Sequence, residues 1–103
     1  MAFTDMAVEH LVLLAADRRL LTAELHQDVL SLADRVRAEL GISLENSVVF
    51  SDTPDSDITG ILSHWRFSSQ EDLTIFRESK AHLLHLQRMS PVLLAKQIID
   101  LSS

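Results

Sequence analysis

Residues 7–15 have the sequence AVEHLVLLA, and this stretch predicts the first strand of the fold. The run is short for a helix and rich in Val and Leu, which favours a strand. One alternating set is Val8, His10, Val12 and Leu14, and the other is Glu9, Leu11, Leu13 and Ala15. Because both sets are largely apolar, we expect both faces of this strand to be covered.

The next segment, residues 20–40, predicts a long helix. Its apolar residues recur every three or four positions, which is the period of a helix with one buried face. They are Leu21, Leu25, Val29, Leu32, Val36 and Leu40. The polar residues, Asp28 among them, are expected on the opposite side. Gly41 follows the last apolar residue, where a left-handed cap is favoured.

Two stretches of alternating residues predict two further strands. They cover residues 42–50 and 58–67, since every second side chain of a strand points to the same face. Residues 51–57, SDTPDSD, favour turns and predict the loop between these strands. Residues Ile61, Ser63, Trp65 and Phe67 are expected to share one face of the later strand.

A second helical segment follows, and we expect it to be divided. Ser68 or Ser69, each with an acidic residue three positions later, predicts its start. A break near Ser79 would produce two short helices. Pro91 ends the segment because proline cannot continue a helix, and residues 92–101 are predicted as the last strand.

The order strand, helix, strand, strand, helix, strand is that of the ferredoxin-like βαββαβ arrangement. We therefore predict a single α+β domain over residues 1–103, with an antiparallel sheet, its helices on one face and a loose terminus at residues 1–6. The other face is expected to carry Leu11, Leu13, Ile99 and Leu101. Because such a face is too apolar to remain in water, we predict a homodimer that packs two sheets face to face as a dimeric α+β barrel.

The composition narrows the classes of function. The chain has 103 residues, a net charge of -6 and no cysteine. Without cysteine, a disulfide framework, a cysteine nucleophile and a thiolate metal site are excluded. The acidic charge predicts no nucleic-acid and no membrane partner, because both need basic surfaces. No signal peptide or membrane-length apolar run is visible, so we expect a cytoplasmic protein.

Several short motifs resemble the stress-responsive dimeric α/β-barrel (Dabb) family. They are VEHLVLL at residues 8–14, Phe67-Ser68-Ser69, Phe76, Ala81-His82 and Ile98-Ile99-Asp100. Their order and spacing match the family from about Val8 to Leu101. The resemblance implies a dimeric barrel in which each protomer holds a pocket between its sheet and its helices.

Within this family, the chain is similar to plant polyketide cyclases of the olivetolic acid type. Those enzymes close a linear tetraketide by an intramolecular aldol step. The resemblance implies that His82 is the catalytic histidine, that His10 is a second pocket histidine, and that no cofactor is required. A tyrosine assists the catalytic histidine in the cyclase, and that position is Phe76 here. The chain contains no tyrosine, so the resemblance does not supply the phenol.

The remaining candidate pocket residues are on the strand faces expected to meet the helices, or on the second helical segment itself. They are Val12, Leu14, Ser63, Trp65, Phe76, Leu83 and His85. Trp65 could stack on a planar ligand and Ser63 could bind a substrate oxygen. No Gly-x-Ser-x-Gly motif accompanies Ser63, so a serine nucleophile is not indicated.

His85 lies three residues after His82, so both point to one side of a helix. With His10 they would form a cluster of three imidazoles that resembles an open metal site. No carboxylate at a matching spacing accompanies them, so we expect no metal. The alternative is that His85 lies on the solvent rim.

Three hypotheses for function remain open. The first is a polyketide cyclase-like lyase that uses His82 as acid and base on a small polycarbonyl substrate. The second is a non-catalytic, stress-related or ligand-binding homodimer. The third is a cofactor-free monooxygenase of the related antibiotic-biosynthesis barrel family, which would consume oxygen with a quinol or anthrone.

Overall fold

The chain forms four strands and three α-helices in a computed structural model that describes residues 7–102. In chain order, the elements are β1 (Val8–Asp17), α1 (Ala23–Leu40), β2 (Leu44–Asp52), β3 (Ile58–Phe67), α2 (Gln70–Glu78), α3 (Lys80–Met89) and β4 (Leu93–Ser102). A short 3-10 turn, Ser90–Val92, joins α3 to β4. The terminus predicted to be loose, residues 1–6, lies outside the described residues.

The sheet has the strand order β2-β3-β1-β4, and every neighbouring pair is antiparallel. This confirms the predicted α+β, ferredoxin-like fold. His10 pairs with Trp65 on one side and with Asp100 on the other. Because directly paired residues share a face, these three side chains lie on the same face of the sheet. We call this the inner face, since the helices cover it.

Helix α1 begins two residues after an irregular turn that the periodicity alone did not show. Leu20 and Leu21 donate their backbone N–H groups to the carbonyl of Asp17, so the predicted start at residue 20 is too early. Thr22 caps the helix by accepting a hydrogen bond from the N–H of Leu25 at 3.2 Å. Gly41 has a φ of 65°, which confirms the predicted left-handed cap.

The break near Ser79 is confirmed. Ser79 has an extended backbone and both ends α2 and begins α3. Its hydroxyl donates to the carbonyl of Phe76 at 2.8 Å and accepts from the N–H of His82 at 3.1 Å. Glu39, at the end of α1, accepts from the N–H groups of Lys80 and Ala81 at 2.8 Å each. These contacts set the start of α3 relative to α1 and α2.

The boundaries of β1, β2 and β4 differ from the prediction, whereas those of β3 agree with it. Strand β1 continues to Asp17 because Ala16 and Asp17 still pair with β3. Strand β2 begins at Leu44 rather than at residue 42. Strand β4 begins at Leu93, since Pro91 and its neighbours form the 3-10 turn.

The helices pack on the inner face only. The buried core includes Val36, Trp65, Phe67, Leu73 and Phe76. The opposite, outer face exposes apolar side chains, as the prediction required. Its exposed members are Leu13, Val49, Leu62, Ile99 and Leu101. Among the described residues, no helix is both long and apolar enough to cross a membrane.

Candidate functional site

A cavity of about 310 Å³ lies between the inner face of the sheet and the helices. Strand β1, strand β3 and strand β4 form its floor, and the three helices form its walls. Its lining residues are His10, Val12, Leu14, Val29, Leu32, Ile61, Ser63, Trp65, Phe76, Arg77, His82, His85, Leu86, Lys96 and Ile98. The lining is therefore mostly apolar and carries three imidazoles.

His10 lies at the floor of the cavity and is almost fully buried. Its Nδ1 donates to Oδ1 of Asp100 at 2.5 Å, because the carboxylate can only accept. Asp100 also forms an ion pair with Arg77 on α2. Burial would raise the pKa of Asp100, but the hydrogen bond from His10 and the positive charge of Arg77 hold it below its ordinary value. Asp100 is therefore ionised at neutral pH and orients the imidazole.

His82 lies in the first turn of α3, on the opposite wall. Its Nδ1 is 3.1 Å from the carbonyl oxygen of Arg77. Since a carbonyl cannot donate, Nδ1 carries the proton and Nε2 keeps a free lone pair. Burial lowers the pKa of His82, and the hydrogen bond to Arg77 opposes this shift only in part. His82 is thus a neutral base at neutral pH.

The ring of Phe76 lies between these two histidines. Its centroid is 4.5 Å from that of His82 and 5.9 Å from that of His10. Trp65 contacts the same ring at 4.6 Å. An apolar ring therefore occupies the position at which the family resemblance implies a phenol.

His85 is buried and faces the cavity one turn along α3 from His82. Its Nδ1 donates to Oδ2 of Asp28 at 2.7 Å. Oδ1 of the same carboxylate accepts from Arg88 at 2.7 Å and from Arg35 at 2.9 Å. Burial would raise the pKa of Asp28, but the hydrogen bonds from His85 and Arg88 and the charge of Arg35 hold it low. Burial lowers the pKa of His85, although Asp28 acts in the opposite direction.

The three histidines share one feature that matters for chemistry. In each, Nδ1 is used by an acceptor, whereas Nε2 has no hydrogen-bond partner within residues 7–102. Arg77 and Lys96 add cationic groups to the lining. The cavity can therefore accept protons at several points and attract an anionic ligand.

Most of the residues predicted for the pocket line this cavity. His10, Val12, Leu14, Ser63, Trp65, Phe76, His82 and His85 do so. The alternative position of His85 on the solvent rim is wrong, because its side chain is buried against Asp28. The prediction that Leu83 lines the pocket is wrong, because Leu83 is half exposed and does not line the cavity. Successive helical residues point in directions about 100° apart, so Leu86 occupies the wall that was predicted for Leu83.

The structure places at the site several residues that the sequence patterns did not predict there. Asp28 was expected on the solvent side of α1, yet it is buried beneath α3. Asp100 approaches His10 only because β1 and β4 pair across 90 residues of chain. Arg77 and Lys96 carried no local signal beyond their charge. Alternation along β4 could have placed Lys96, Ile98 and Asp100 on one face.

The remaining histidines lie outside the cavity. His64 is on the outer face, where its Nε2 is 2.8 Å from Oε1 of Glu9. His26 stacks on Phe50 at 3.8 Å, near the other end of α1. Ser63 accepts a hydrogen bond from the amide of Asn46 at 3.1 Å. Within the described part of the chain, no group of three or more His, Asp or Glu side chains is arranged to hold a metal ion.

Solved structures with the same fold cover nearly the whole chain. One is a Caulobacter crescentus protein described as an antibiotic biosynthesis monooxygenase, with 17% identity, a TM-score of 0.69, and 97% of this chain and 92% of that chain covered. A Dabb family protein from Mesorhizobium loti has 16% identity, a TM-score of 0.67, and coverage of 94% and 96%. A dimeric protein of ferredoxin-like fold from Bacteroides fragilis has 14% identity, a TM-score of 0.67, and the same coverage of 94% and 96%.

These identities establish the fold alone. The sequence matches no protein-family profile, and no curated protein matches it.

Proposed function

We propose that this protein is a cytoplasmic, cofactor-independent enzyme that moves protons on a small polycarbonyl compound, in the manner of a polyketide cyclase. One observation carries the proposal: a largely apolar cavity holds three histidines, each oriented through Nδ1 and with no partner on Nε2 among residues 7–102. An orienting acceptor behind an imidazole selects the tautomer that can act as a base. This arrangement fits proton abstraction next to a carbonyl.

His82 is the base in this proposal. Its Nε2 takes a proton from the carbon between two carbonyl groups, and the electrons of the C–H bond move into an enolate. That carbanion attacks a second carbonyl carbon of the same molecule, which forms the new C–C bond. The carbonyl oxygen becomes an alkoxide and receives the proton from His82, so the base is regenerated. No net proton is gained or lost.

The cationic lining residues and His10 support the same chemistry. Lys96 and Arg77 reach the cavity from β4 and α2 and can pair with an enolate or carboxylate oxygen. His10, held by Asp100, positions the substrate from the floor. Phe76 and Trp65 supply a water-excluding wall, on which a planar substrate stacks. Because the phenyl ring of Phe76 has no titratable group, the histidines carry out the proton transfers.

We propose further that the protein acts as a homodimer joined through the outer face. Leu62 is 40% exposed and Ile99 is 38% exposed in the isolated chain, and a contiguous apolar face of this kind is unfavourable in water. The Bacteroides fragilis protein of the same fold is described as dimeric, which supports the proposal. A second copy would cover the face about a two-fold axis.

The first experiment measures base catalysis with 5-nitro-1,2-benzisoxazole, a planar probe. A base removes its ring C–H proton, the N–O bond breaks, and a coloured cyanophenolate forms. We expect the wild type to accelerate this reaction over free imidazole, and His82→Ala to reduce the rate by about tenfold or more. His26→Ala, outside the cavity, is the matched control and should keep the rate.

A wild-type rate equal to that of free imidazole would contradict the proposal and favour the non-catalytic, ligand-binding alternative. The antibiotic-biosynthesis monooxygenase alternative is supported by a structural neighbour described in those words. An oxygen electrode with an anthrone or quinol distinguishes it from the cyclase, because only the monooxygenase consumes oxygen.

A further inference from the structure

The carboxylate of Asp28 has more partners than a contact between helices requires. It is almost fully buried and accepts from His85, Arg88 and Arg35, all at 2.9 Å or less. His85 is 57 positions away in the sequence. A contact that served only to join α1 to α3 would be complete with Arg88, since Arg35 lies on α1 itself. The third partner is a histidine whose other nitrogen lies at a ligand-sized cavity.

His85 and His82 differ in what stands behind them. His82 donates Nδ1–H to a neutral carbonyl, that of Arg77. His85 donates Nδ1–H to an ionised carboxylate. When Nε2 of either ring accepts a proton, the ring becomes positively charged. A buried carboxylate stabilises that charge more strongly than a carbonyl does, because charge-assisted hydrogen bonds are the stronger class.

Burial and the two arginines keep His85 available as a base. Burial disfavours the imidazolium form and lowers the pKa of His85, the carboxylate of Asp28 opposes this, and the positive charges of Arg35 and Arg88 lower the pKa further. His85 therefore carries no permanent proton on Nε2 at neutral pH. Without the arginines, the carboxylate would favour the imidazolium form of His85 more strongly.

We propose that Asp28 and His85 form a second proton-accepting centre in the cavity, in which His85 is a catalytic base and Asp28 is its positioning residue. The inference rests on the proposed function and deepens it. The two bases lie on one face of α3, separated by one helical turn, which corresponds to about 5–6 Å between their Cβ atoms. A substrate that presents two acidic C–H groups to this wall of the cavity, such as a chain of alternating carbonyl and methylene carbons, is the class that fits.

Several charged or titratable groups surround His85. They are Asp28 and Arg35 on α1, Arg88 and His82 on α3, Arg77 on α2, His10 on β1 and Lys96 on β4. Asp28 is the only carboxylate among these that hydrogen-bonds to the ring. The pH dependence of His85 is therefore most sensitive to Asp28.

The test measures the pH–rate profile of the benzisoxazole reaction for the wild type and for His85→Asn, Asp28→Asn and Asp34→Asn in a His82→Ala background, where His85 is the remaining base. Asp34 is an exposed residue of the same helix that pairs with Arg37, so Asp34→Asn is the matched control. In that background, we expect Asp28→Asn to lower the limiting rate about tenfold. It should also move the acidic limb of the profile to lower pH, because the imidazolium loses its counter-charge. Asp34→Asn should change neither quantity.

Nitrogen-15 NMR of the histidine rings gives a readout that does not depend on turnover. In the wild type, the His85 ring should carry its proton on Nδ1 and gain one on Nε2 as the pH falls. In Asp28→Asn, that uptake should require a lower pH. Circular dichroism checks that each variant folds. If Asp28→Asn does not fold, His85→Asn still tests the base directly.

The outcomes separate this inference from the proposed function. A wild type without acceleration overturns the proposed function, and this inference with it. A wild type that accelerates the reaction, together with His85→Asn and Asp28→Asn variants that leave the rate and profile of the His82→Ala background unchanged, overturns this inference alone. A lower rate with an unshifted profile and an unchanged His85 titration also overturns it, because the carboxylate then acts only on folding.

Discussion

At the scale of single residues, three chemically identical imidazoles differ through the group bonded to Nδ1. That group is the carboxylate of Asp100 for His10, a backbone carbonyl for His82, and the carboxylate of Asp28 for His85. Burial lowers the pKa of both His82 and His85, and it is opposed by a carbonyl at His82 and by a carboxylate at His85. The cavity therefore places these two imidazoles in different electrostatic settings without any residue type other than histidine.

The lowered histidine pKa values predict how stability depends on pH. The folded-state pKa values of His82 and His85 lie below the ordinary 6.5, so the unfolded chain binds protons first as the pH falls. The free energy of unfolding should therefore decrease as the pH is lowered through this range. Urea unfolding at about pH 7.5 and about pH 5.5 measures the change.

The variant His82→Gln should lose part of that pH dependence, because it removes one of the two groups. A free energy of unfolding that stays constant or rises on acidification would contradict the assignment. Asp28 and Asp100 contribute a separate loss at lower pH, since their pKa values are held below 3.8 and their stabilisation is lost as the pH falls through the folded-state values.

At the scale of elements, the interrupted helix determines where His82 lies. Ser79 joins the end of α2, which carries Phe76, to the start of α3, which carries His82. A continuous helix would rotate and translate every later side chain, so His82 and His85 would not face the sheet. Glu39 adds a tie from α1 to the first N–H groups of α3. The break is therefore part of the construction of the site.

We predict that Ser79→Ala reduces both stability and proton transfer. The loss of the cap should lower the free energy of unfolding by about 1 kcal/mol. The benzisoxazole rate should also fall, because the Ser79 hydroxyl no longer joins the carbonyl of Phe76 to the N–H of His82. Ser69→Ala is the matched control, since Ser69 caps α2 through the N–H of Asp72 at 3.1 Å and does not line the cavity. It should cost similar stability but preserve the rate. Equal rates in the two variants would show that the break does not position His82.

At the scale of the whole molecule, the helices cover only one of the two faces of the sheet. The inner face contains the cavity, whereas the outer face leaves Leu13, Leu62 and Ile99 exposed. Two protomers that bury these faces against each other would enclose a second hydrophobic layer and add to the stability of each chain. Formation of the proposed dimer would therefore also help to explain why a chain of this size is stable.

A charged substitution on the outer face tests the dimer. Leu62→Glu should convert the protein to a monomer, because two carboxylates would be buried at the two-fold interface. Leu30→Glu is the matched control: Leu30 lies on α1 and is 43% exposed, close to the 40% of Leu62. Light scattering after gel filtration measures the mass of each. A monomeric wild type, or a Leu62→Glu variant of dimer mass, would contradict the proposed interface.

The order of elements and the faces of the strands could be predicted from the sequence, because both depend on local periodicity. The alternation around His10 and Trp65, the spacing of Val29, Leu32 and Val36, and the break at Ser79 each express a preference of the nearby backbone. Boundaries were less accurate where a turn or a 3-10 segment satisfied the backbone instead, as at Asp17 and Pro91.

The sequence by itself therefore determined the ferredoxin-like fold, the inner position of His10 and Trp65, and the shared helix side of His82 and His85. Only the tertiary structure decided that Asp28 reaches His85 and that Asp100 reaches His10. The physical reason is that these pairs depend on how α1 lies against α3 and how β4 pairs with β1. Such long-range placement is set by the packing of the whole core, and no local pattern in a single element records it.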